Sequence, residues 1–126
     1  MIGRLVIEGS AEGPALVLEE PLSLWGGLDP ATGRIVEVGH PQRGEIVTGR
    51  ILVMPSGRGS SSSATVLAEA VRLGTAPAGI VLRDPDAIVT VGLLVAAELY
   101  GRVVPLAIAA PEVFAAIASD QSVHLP

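Results

Sequence analysis

The chain has 126 residues, of which 49% are hydrophobic and 17% charged, with a formal net charge of −5 and no cysteine. This length fits one domain with one core, and the absence of cysteine excludes disulfides and thiolate ligation of an iron–sulfur cluster by this chain. The mean hydropathy of +0.57 is high, yet no apolar run reaches the ~18 residues of a membrane helix, which indicates either a partner-covered surface or a core rich in alanine and valine.

Short apolar runs separated by glycine and proline dominate the first half of the chain, which is typical of β-structure. Strands are predicted at Arg4–Gly9 and Ala15–Leu18, with Gly13-Pro14 as the turn between them. The stretch Glu20–Gly33 contains two prolines and three glycines, which disfavour regular structure. Further strand patterns follow at Arg34–Val38, Gly44–Arg50 and Arg50–Met54.

The second half alternates strands with helices after a small polar loop. The predicted elements are the loop Pro55–Ser63, a helix over Ala64–Leu73, a strand over Gly79–Leu82, a helix over Ala87–Tyr100, a strand over Val103–Ile108 and a helix over Pro111–Ile117. This β-α-β-α-β order predicts parallel strands with right-handed crossovers. We therefore expect one α/β domain over residues 1–126, in which a small β-barrel-like layer packs on the parallel layer.

The stretch Gly57–Ser63, with the sequence GRGSSSS, is the segment most suited to chemistry. Between a buried strand and a helix, backbone N–H groups and the helix dipole attract a carboxylate or phosphate, and Arg58 adds a fork for either group. Serines before a helix are also ordinary caps, and the residues alone leave both interpretations open. The chain has no lysine for a P-loop and lacks the third glycine of a Rossmann fingerprint.

Other residue types exclude several classes of site. The eight basic residues are scattered arginines, and Trp25, Tyr100 and Phe114 are too few to stack bases, so we expect no nucleic-acid binding. His40 and His124 lack ligand-spaced companions and are typical of surface or turn positions, so we expect no metal site and no serine nucleophile with a histidine base. Because no signal peptide or membrane helix is recognised, we expect a cytoplasmic protein without membrane contact.

Three stretches together resemble a known family. They read EPLSLWGGLDPATG over Glu20–Gly33, PSGRGSS over Pro55–Ser61, and APAGIVL over Ala76–Leu82 followed by AELYG over Ala97–Gly101. In this combination, over about residues 9–105, the chain is similar to the small subunit, or swivel domain, of aconitase X.

The resemblance implies a swivelling β/β/α domain that serves a two-subunit hydro-lyase. A larger subunit would carry an iron–sulfur cluster, whose iron takes the hydroxyl group of a small carboxylate substrate. Ser60 would be the catalytic base, its alkoxide stabilised by the loop and the helix N-terminus. Arg58 and Gly59 would bind substrate, and Ser61 is a weaker candidate. The chain departs from the family pattern at Ser63-Ala64, which leaves the roles of Ser62 and Ser63 open.

Ser23, Trp25, Gly26 and Gly27 are expected at the subunit interface or the rim of the cleft, because large aromatic side chains concentrate at interfaces, although Trp25 is also suited to plug the small barrel. The favoured substrate is cis-3-hydroxy-L-proline, and mevalonate 5-phosphate is the alternative. A non-catalytic anion-binding or regulatory domain is the alternative of another class. The stretch Ile88–Pro105 echoes phosphohistidine carriers, but no histidine begins its helix.

Overall fold

The computed structural model describes residues 3–126. Within these residues the chain forms ten strands and four helical segments. In chain order they are β1 (Arg4–Ile7), β2 (Ala11–Val17), β3 (Leu22–Ser23), α1 (Leu24–Gly27), β4 (Leu28–Asp29), β5 (Arg34–Ile35), β6 (Ile51–Met54), β7 (Gly57–Arg58), α2 (Ser62–Leu73), β8 (Gly79–Leu82), α3 (Ala87–Tyr100), β9 (Leu106–Ile108), α4 (Pro111–Ala116) and β10 (Ser122–Leu125).

A six-stranded mixed sheet in the order β1-β9-β8-β6-β2-β10 forms the centre of the domain. Its four central strands, β9, β8, β6 and β2, are parallel, whereas β1 and β10 pair antiparallel at the two edges. Helix α2 connects β6 to β8, and α3 connects β8 to β9. The parallel β-α-β-α-β layer predicted for the second half is confirmed.

Both faces of the central strands are apolar, as expected for parallel strands that are covered on two sides. Alternate residues divide between two core clusters. One cluster packs under α2 and α3 and includes Leu16, Leu52, Met54, Ile80, Leu82 and Leu106. The other packs with α4 and β10 and includes Ala15, Ile51, Val53, Val81 and Ala107.

The sheet curls around this second cluster. Neighbouring strands lie about 4.8 Å apart, so β10 and β8, which are three steps apart, would be separated by about 14 Å in a flat sheet. A leucine side chain cannot bridge that distance. A Cβ added to Gly79 of β8 would nevertheless lie 2.8 Å from Cδ1 of Leu125 in β10. Strand β10 therefore folds over the face of the sheet and gives it the form of a half-barrel.

Helices α2 and α3 lie close together because a glycine faces the contact. A Cβ on Gly92 would be 2.9 Å from the carbonyl oxygen of Ala64 and 3.3 Å from Cβ of Leu67. Helix α3 is apolar over most of its circumference and has 14 residues. No helix within residues 3–126 combines the length and the hydrophobicity that crossing a bilayer requires.

The first half of the chain differs from its predicted arrangement. Gly13-Pro14 is not a turn but part of β2, where it pairs with β10, and β1 pairs with β9 instead of β2. Because β6 joins β2 only from Ala15 onward, the strand is an edge at Pro14, where proline is tolerated. The predicted strand Arg34–Val38 shortens to Arg34–Ile35, and Gly44–Arg50 contributes a single bridge at Ile46.

Several element boundaries differ by a few residues from those predicted. Helix α2 begins at Ser62, two residues before the predicted start, and β9 begins at Leu106 because its predicted first residues lie outside the ladder. The strand β10 was not predicted at all, since four alternating residues give a weak signal.

Candidate functional site

The loop after β6 is paired with the segment that contains Trp25. Strand β7 lies in this loop and pairs parallel with β3, with Leu22 opposite Gly57 and Ser23 opposite Arg58. The loop lies at the carboxyl end of a central parallel strand, where ligands bind in open α/β sheets. The structure thus brings together two stretches that are more than 20 residues apart in the sequence.

A turn at Trp25-Gly26 holds the tryptophan away from the core. Trp25 has φ −74° and ψ 117°, and Gly26 has φ 77° and ψ −10°, which are the angles of a type II turn with glycine at its third position. Although labelled α1, the segment is therefore not helical inside. The Trp25 residue is 61% exposed, so it does not plug the barrel. Of the four residues expected at the rim, Trp25 and Gly26 are exposed, Ser23 is half-buried and Gly27 is buried.

Serine hydroxyls fix this turn against α2. The Trp25 N–H donates to Oγ of buried Ser63 over 3.2 Å, and the Ser23 hydroxyl donates to the Trp25 carbonyl over 2.9 Å. Gly59 passes so close that a Cβ there would lie 2.9 Å from Ser23 Oγ, and its φ of +106° also requires glycine. Ser63 therefore has a structural contact, which the sequence left open.

A half-buried carboxylate joins the two segments. Glu37 Oε1 accepts a hydrogen bond from the Ser23 N–H over 2.8 Å, and Glu37 Oε2 forms an ion pair with Nη2 of Arg58. The Glu37 side chain is 17% exposed and that of Arg58 is 45% exposed. A Cβ on Gly27 would lie 2.9 Å from Glu37 Oε1, so Gly27 makes room for this carboxylate.

A second carboxylate fixes the other end of the loop. Asp86 is the N-cap of α3, and its Oδ1 accepts from the N–H groups of Ile88 (2.9 Å) and Val89 (3.0 Å). Its Oδ2 accepts from the Gly57 N–H over 2.9 Å. One side chain thus caps a helix and sets the height of the loop above it.

Ser60 is exposed and lies two residues before the first residue of α2. Its Oγ accepts from the Ser62 N–H over 3.3 Å, and its carbonyl accepts from the Ser63 N–H over 3.0 Å. Ser61 occupies the N-cap position without a side-chain cap bond, and its carbonyl accepts from the Ala64 N–H. Because these first-turn N–H groups are bonded locally, the guanidinium of Arg58 is a stronger anion contact than the helix end.

A small cavity opens beside Ser60. It measures about 90 Å³ and is lined by Leu24, Gly57, Arg58, Gly59, Ser60, Ser63, Asp86, Ile88 and Val89. This is room for roughly three water molecules at ~30 Å³ each, whereas pockets for small molecules usually enclose about 300–1,000 Å³. The cavity is therefore smaller than a usual small-molecule pocket, and Ser60 and Arg58 are exposed at its edge.

Comparison with models of protein families shows to which family this chain belongs. The family model of the aconitase X swivel domain matches residues 1–126. The chain belongs to this family. The resemblance noted in the sequence is thereby confirmed.

Two groups of dehydratases are relatives of this swivel domain. The cis-3-hydroxy-L-proline dehydratase of Pseudomonas aeruginosa is 43% identical over 107 residues, which is 85% of this chain but only 18% of that protein. The phosphomevalonate dehydratase small subunit of Methanopyrus kandleri is 48% identical over 86 residues, which is 68% of this chain and 64% of that protein. The chain thus spans about a fifth of the first relative's length and nearly two thirds of the second's.

A solved structure confirms the fold class. The crystal structure of Thermococcus kodakaraensis aconitase X in its holo-form superposes with a TM-score of 0.87 at 29% identity, over 97% of this chain and 87% of that chain. Both are mixed α/β domains with a curled half-barrel sheet.

The aconitase X swivel domain described here has no cluster of metal ligands in residues 3–126. No three histidine, cysteine, aspartate or glutamate side chains in this part of the chain lie close enough together to hold an ion. The full sequence has no cysteine. The residues present therefore do not fit an iron–sulfur cluster.

His40 was expected at a surface or turn position, and the structure places it in a turn. The residue is only 5% exposed. Its Nδ1 accepts from the Gln42 N–H over 3.0 Å, which leaves Nε2 to donate to the Glu20 carbonyl over 3.2 Å. The ring therefore ties the turn to the start of the Trp25 segment, and it lies outside the cavity lining.

Sequence reasoning missed two residues of the site, Glu37 and Asp86. Asp86 carried a usable signal, because an aspartate directly before a predicted helix is a preferred N-cap. Glu37 carried no such signal, because it was a single polar residue within the predicted strand Arg34–Val38. Its importance arises only from the pairing of β3 with β7.

Proposed function

We propose that this chain supplies Ser60 as the catalytic base of an aconitase X-type dehydratase, a hydro-lyase that is active only when a larger subunit completes the site. The observation that carries the proposal is the exposure of Ser60 and Arg58 at the edge of a cavity too small for a substrate. Ser63, by contrast, is buried and bonded to Trp25. Residues 1–126 act as a single swivel domain in this proposal.

The environment of Ser60 favours its role as a base. Dehydration removes a proton from carbon and a hydroxyl group from the neighbouring carbon. A neutral serine hydroxyl is too weak a base to take a proton from carbon, so Ser60 must act as its alkoxide. The Ser62 N–H donates to Ser60 Oγ, and the N-terminal end of the α2 dipole lies beside it. Hydrogen bonds to the charged form stabilise an alkoxide. Arg58 lies two residues away and supplies positive charge at the same edge.

A small carboxylate is the substrate class that fits this edge, and cis-3-hydroxy-L-proline is our first candidate. Among the described residues that line the cavity, Arg58 is the one positively charged side chain, and it is already paired with Glu37. Asp86 adds a second carboxylate nearby. This balance suits a substrate of low net charge, such as an amino acid zwitterion. Mevalonate 5-phosphate carries a further phosphate and is the alternative, with additional cations supplied by the larger subunit.

The larger subunit would hold an iron–sulfur cluster, which the relationship to the aconitase X family suggests; this chain has no cysteine to bind one. Such a cluster would supply a Lewis acid for the departing hydroxyl group. This chain's part is to place Ser60 and to bind the carboxylate through Arg58, Gly59 and Ser61. Trp25 and Gly26 would contact the larger subunit, since an exposed tryptophan is typical of interface centres. We place the complex in the cytoplasm.

The proposal is tested with this chain co-expressed with its large subunit and purified anaerobically. Loss of each of the two substrates is followed for the wild type, Ser60→Ala and the control Ser10→Ala. Ser10 is exposed and precedes β2, at the opposite end of the parallel strands from the loop that follows β6. Ser60→Ala is expected to lower kcat by about 10²–10⁴-fold, the usual contribution of a general base, without weakening the complex. Ser10→Ala should behave as wild type.

The other outcomes separate the alternatives. Near-normal turnover by Ser60→Ala would reject the base assignment. A stable complex that turns over neither substrate would reject both substrates and leave the enzyme class to be tested with other hydroxy acids. Failure to form any complex would favour the non-catalytic anion-binding domain.

A further inference from the structure

The carboxyl group of Glu37 contacts both residues 20–27, the Trp25 segment, and residues 55–61, the Ser60 loop. It follows β5, and its N–H donates to the Gly27 carbonyl over 3.2 Å, which anchors its backbone to the Trp25 turn. One carboxylate oxygen accepts from the Ser23 N–H, and the other pairs with Nη2 of Arg58. The pairing of β3 with β7 joins the same two segments through their backbones, and Glu37 adds a contact to the side chain of Arg58.

We propose that Glu37 is the positioning residue for Arg58, holding its guanidinium in the orientation that receives the substrate carboxylate. The inference rests on the proposed function and adds a residue to it. Glu37 engages Nη2 only, so the Nη1 and Nε donors of the same planar group stay available. Arg58 is 45% exposed, and an arginine at such exposure samples many rotamers unless a partner holds it. Ordering the fork before substrate arrives reduces the entropy lost on binding.

Removing only the charge of Glu37 distinguishes a role in orienting Arg58 from a purely structural role. The Ser23 N–H requires only an acceptor oxygen, which an amide also provides. The ion pair with Arg58 requires the carboxylate. Glu37→Gln therefore keeps the contact that holds the backbone and removes the contact that orients Arg58.

The test is a double-mutant cycle in the assembled dehydratase, using Glu37→Gln, Arg58→Gln and the double variant. Glu37→Gln is expected to raise KM about tenfold and to leave kcat within about twofold, because substrate binding depends on the ordered fork. In the Arg58→Gln background, the further change Glu37→Gln should have no effect. Glu69→Gln is the matched control, since Glu69 pairs with exposed Arg72 (Oε1 to Nε 2.6 Å) outside the loop.

Equal effects of Glu37→Gln in both backgrounds would overturn the proposal, because they would show that Glu37 does not act through Arg58. An unchanged KM would overturn it as well. Failure of the Ser60 assignment would give a different result from failure of the Glu37 proposal. The Ser60→Ala variant would then turn over substrate, and the double-mutant cycle of Glu37 and Arg58 could still be measured.

A second measurement does not depend on turnover. In the ¹⁵N-labelled chain, the Arg58 Nη2 proton signals should be dispersed and slow to exchange in the wild type, and they should join the signals of free arginines in Glu37→Gln. A signal unchanged by Glu37→Gln would contradict the ordering of Arg58 by Glu37, whatever the substrate.

Discussion

The Ser60 loop and the contact between α2 and α3 are held in different ways. The helix contact is made by apolar side chains such as Leu67 and Leu93, which are at most 1% exposed. The loop is held by polar contacts from Ser23, Glu37 and Asp86, which lie on three other segments of the chain. The two regions meet at Ser62, where the loop becomes α2.

This difference separates stability from site geometry. Burial of an aliphatic side chain contributes a few kcal/mol and is insensitive to direction, whereas a hydrogen bond contributes about 1 kcal/mol and is sensitive to direction. Changes in the core are therefore expected to alter stability first. Changes in the polar contacts are expected to move Arg58 and Ser60 while the domain remains folded.

The largest expected effect comes from Leu67→Ala. Leu67 is fully buried between the sheet and α3, and removing it leaves a cavity that costs about 2–5 kcal/mol of unfolding free energy. Leu73→Ala makes the same change at a residue that is 44% exposed at the end of α2 and should cost much less. Chemical denaturation of both variants measures the difference. Similar losses would mean that the helix contact is not the stabilising region.

Asp86 contacts both regions, because it caps α3 and accepts a hydrogen bond from Gly57 in the loop. Two different substitutions of Asp86 test these two contacts separately. Asp86→Ala removes the cap of α3 and the acceptor for Gly57, which should cost about 1–2 kcal/mol of stability and lower kcat/KM. Asp86→Asn retains a good cap but turns a donor toward the Gly57 N–H, so it should be more stable than Asp86→Ala and still impaired in turnover. Equal stability of the two variants would argue against the cap. Normal turnover by both would argue against a role in placing the loop.

The parallel half of the fold was predictable because its signals are local. Strand β8 and helix α3 have the predicted boundaries, since each is a continuous apolar pattern closed by glycine or proline. The first half was not predictable in the same way. Strand β2 takes its partners from β6 and β10, which lie far along the chain, so the local Gly13-Pro14 signal for a turn was overridden by tertiary pairing.

The site shows the same limit. Ser60, Arg58 and Gly59 could be named from one contiguous motif. Glu37 could not, because its role depends on the distance between two segments that only the folded chain brings together. Burial of His40 was missed for a related reason, since its hydrogen-bond partner, the carbonyl of Glu20, lies 20 residues earlier in the chain.

Ser63→Ala sharpens the comparison within a single run of serines. Ser63 is 4% exposed, and its Oγ accepts from the Trp25 N–H, so the variant leaves that N–H unpaired and should cost about 1 kcal/mol of stability. Ser60 is exposed, so Ser60→Ala should leave the unfolding free energy unchanged while it lowers kcat. The same substitution three residues apart is thus expected to give opposite results in denaturation and in turnover. If Ser63→Ala instead abolished turnover at full stability, the base would have to be sought at Ser63, and the burial of its hydroxyl would then have to be relieved when the larger subunit binds.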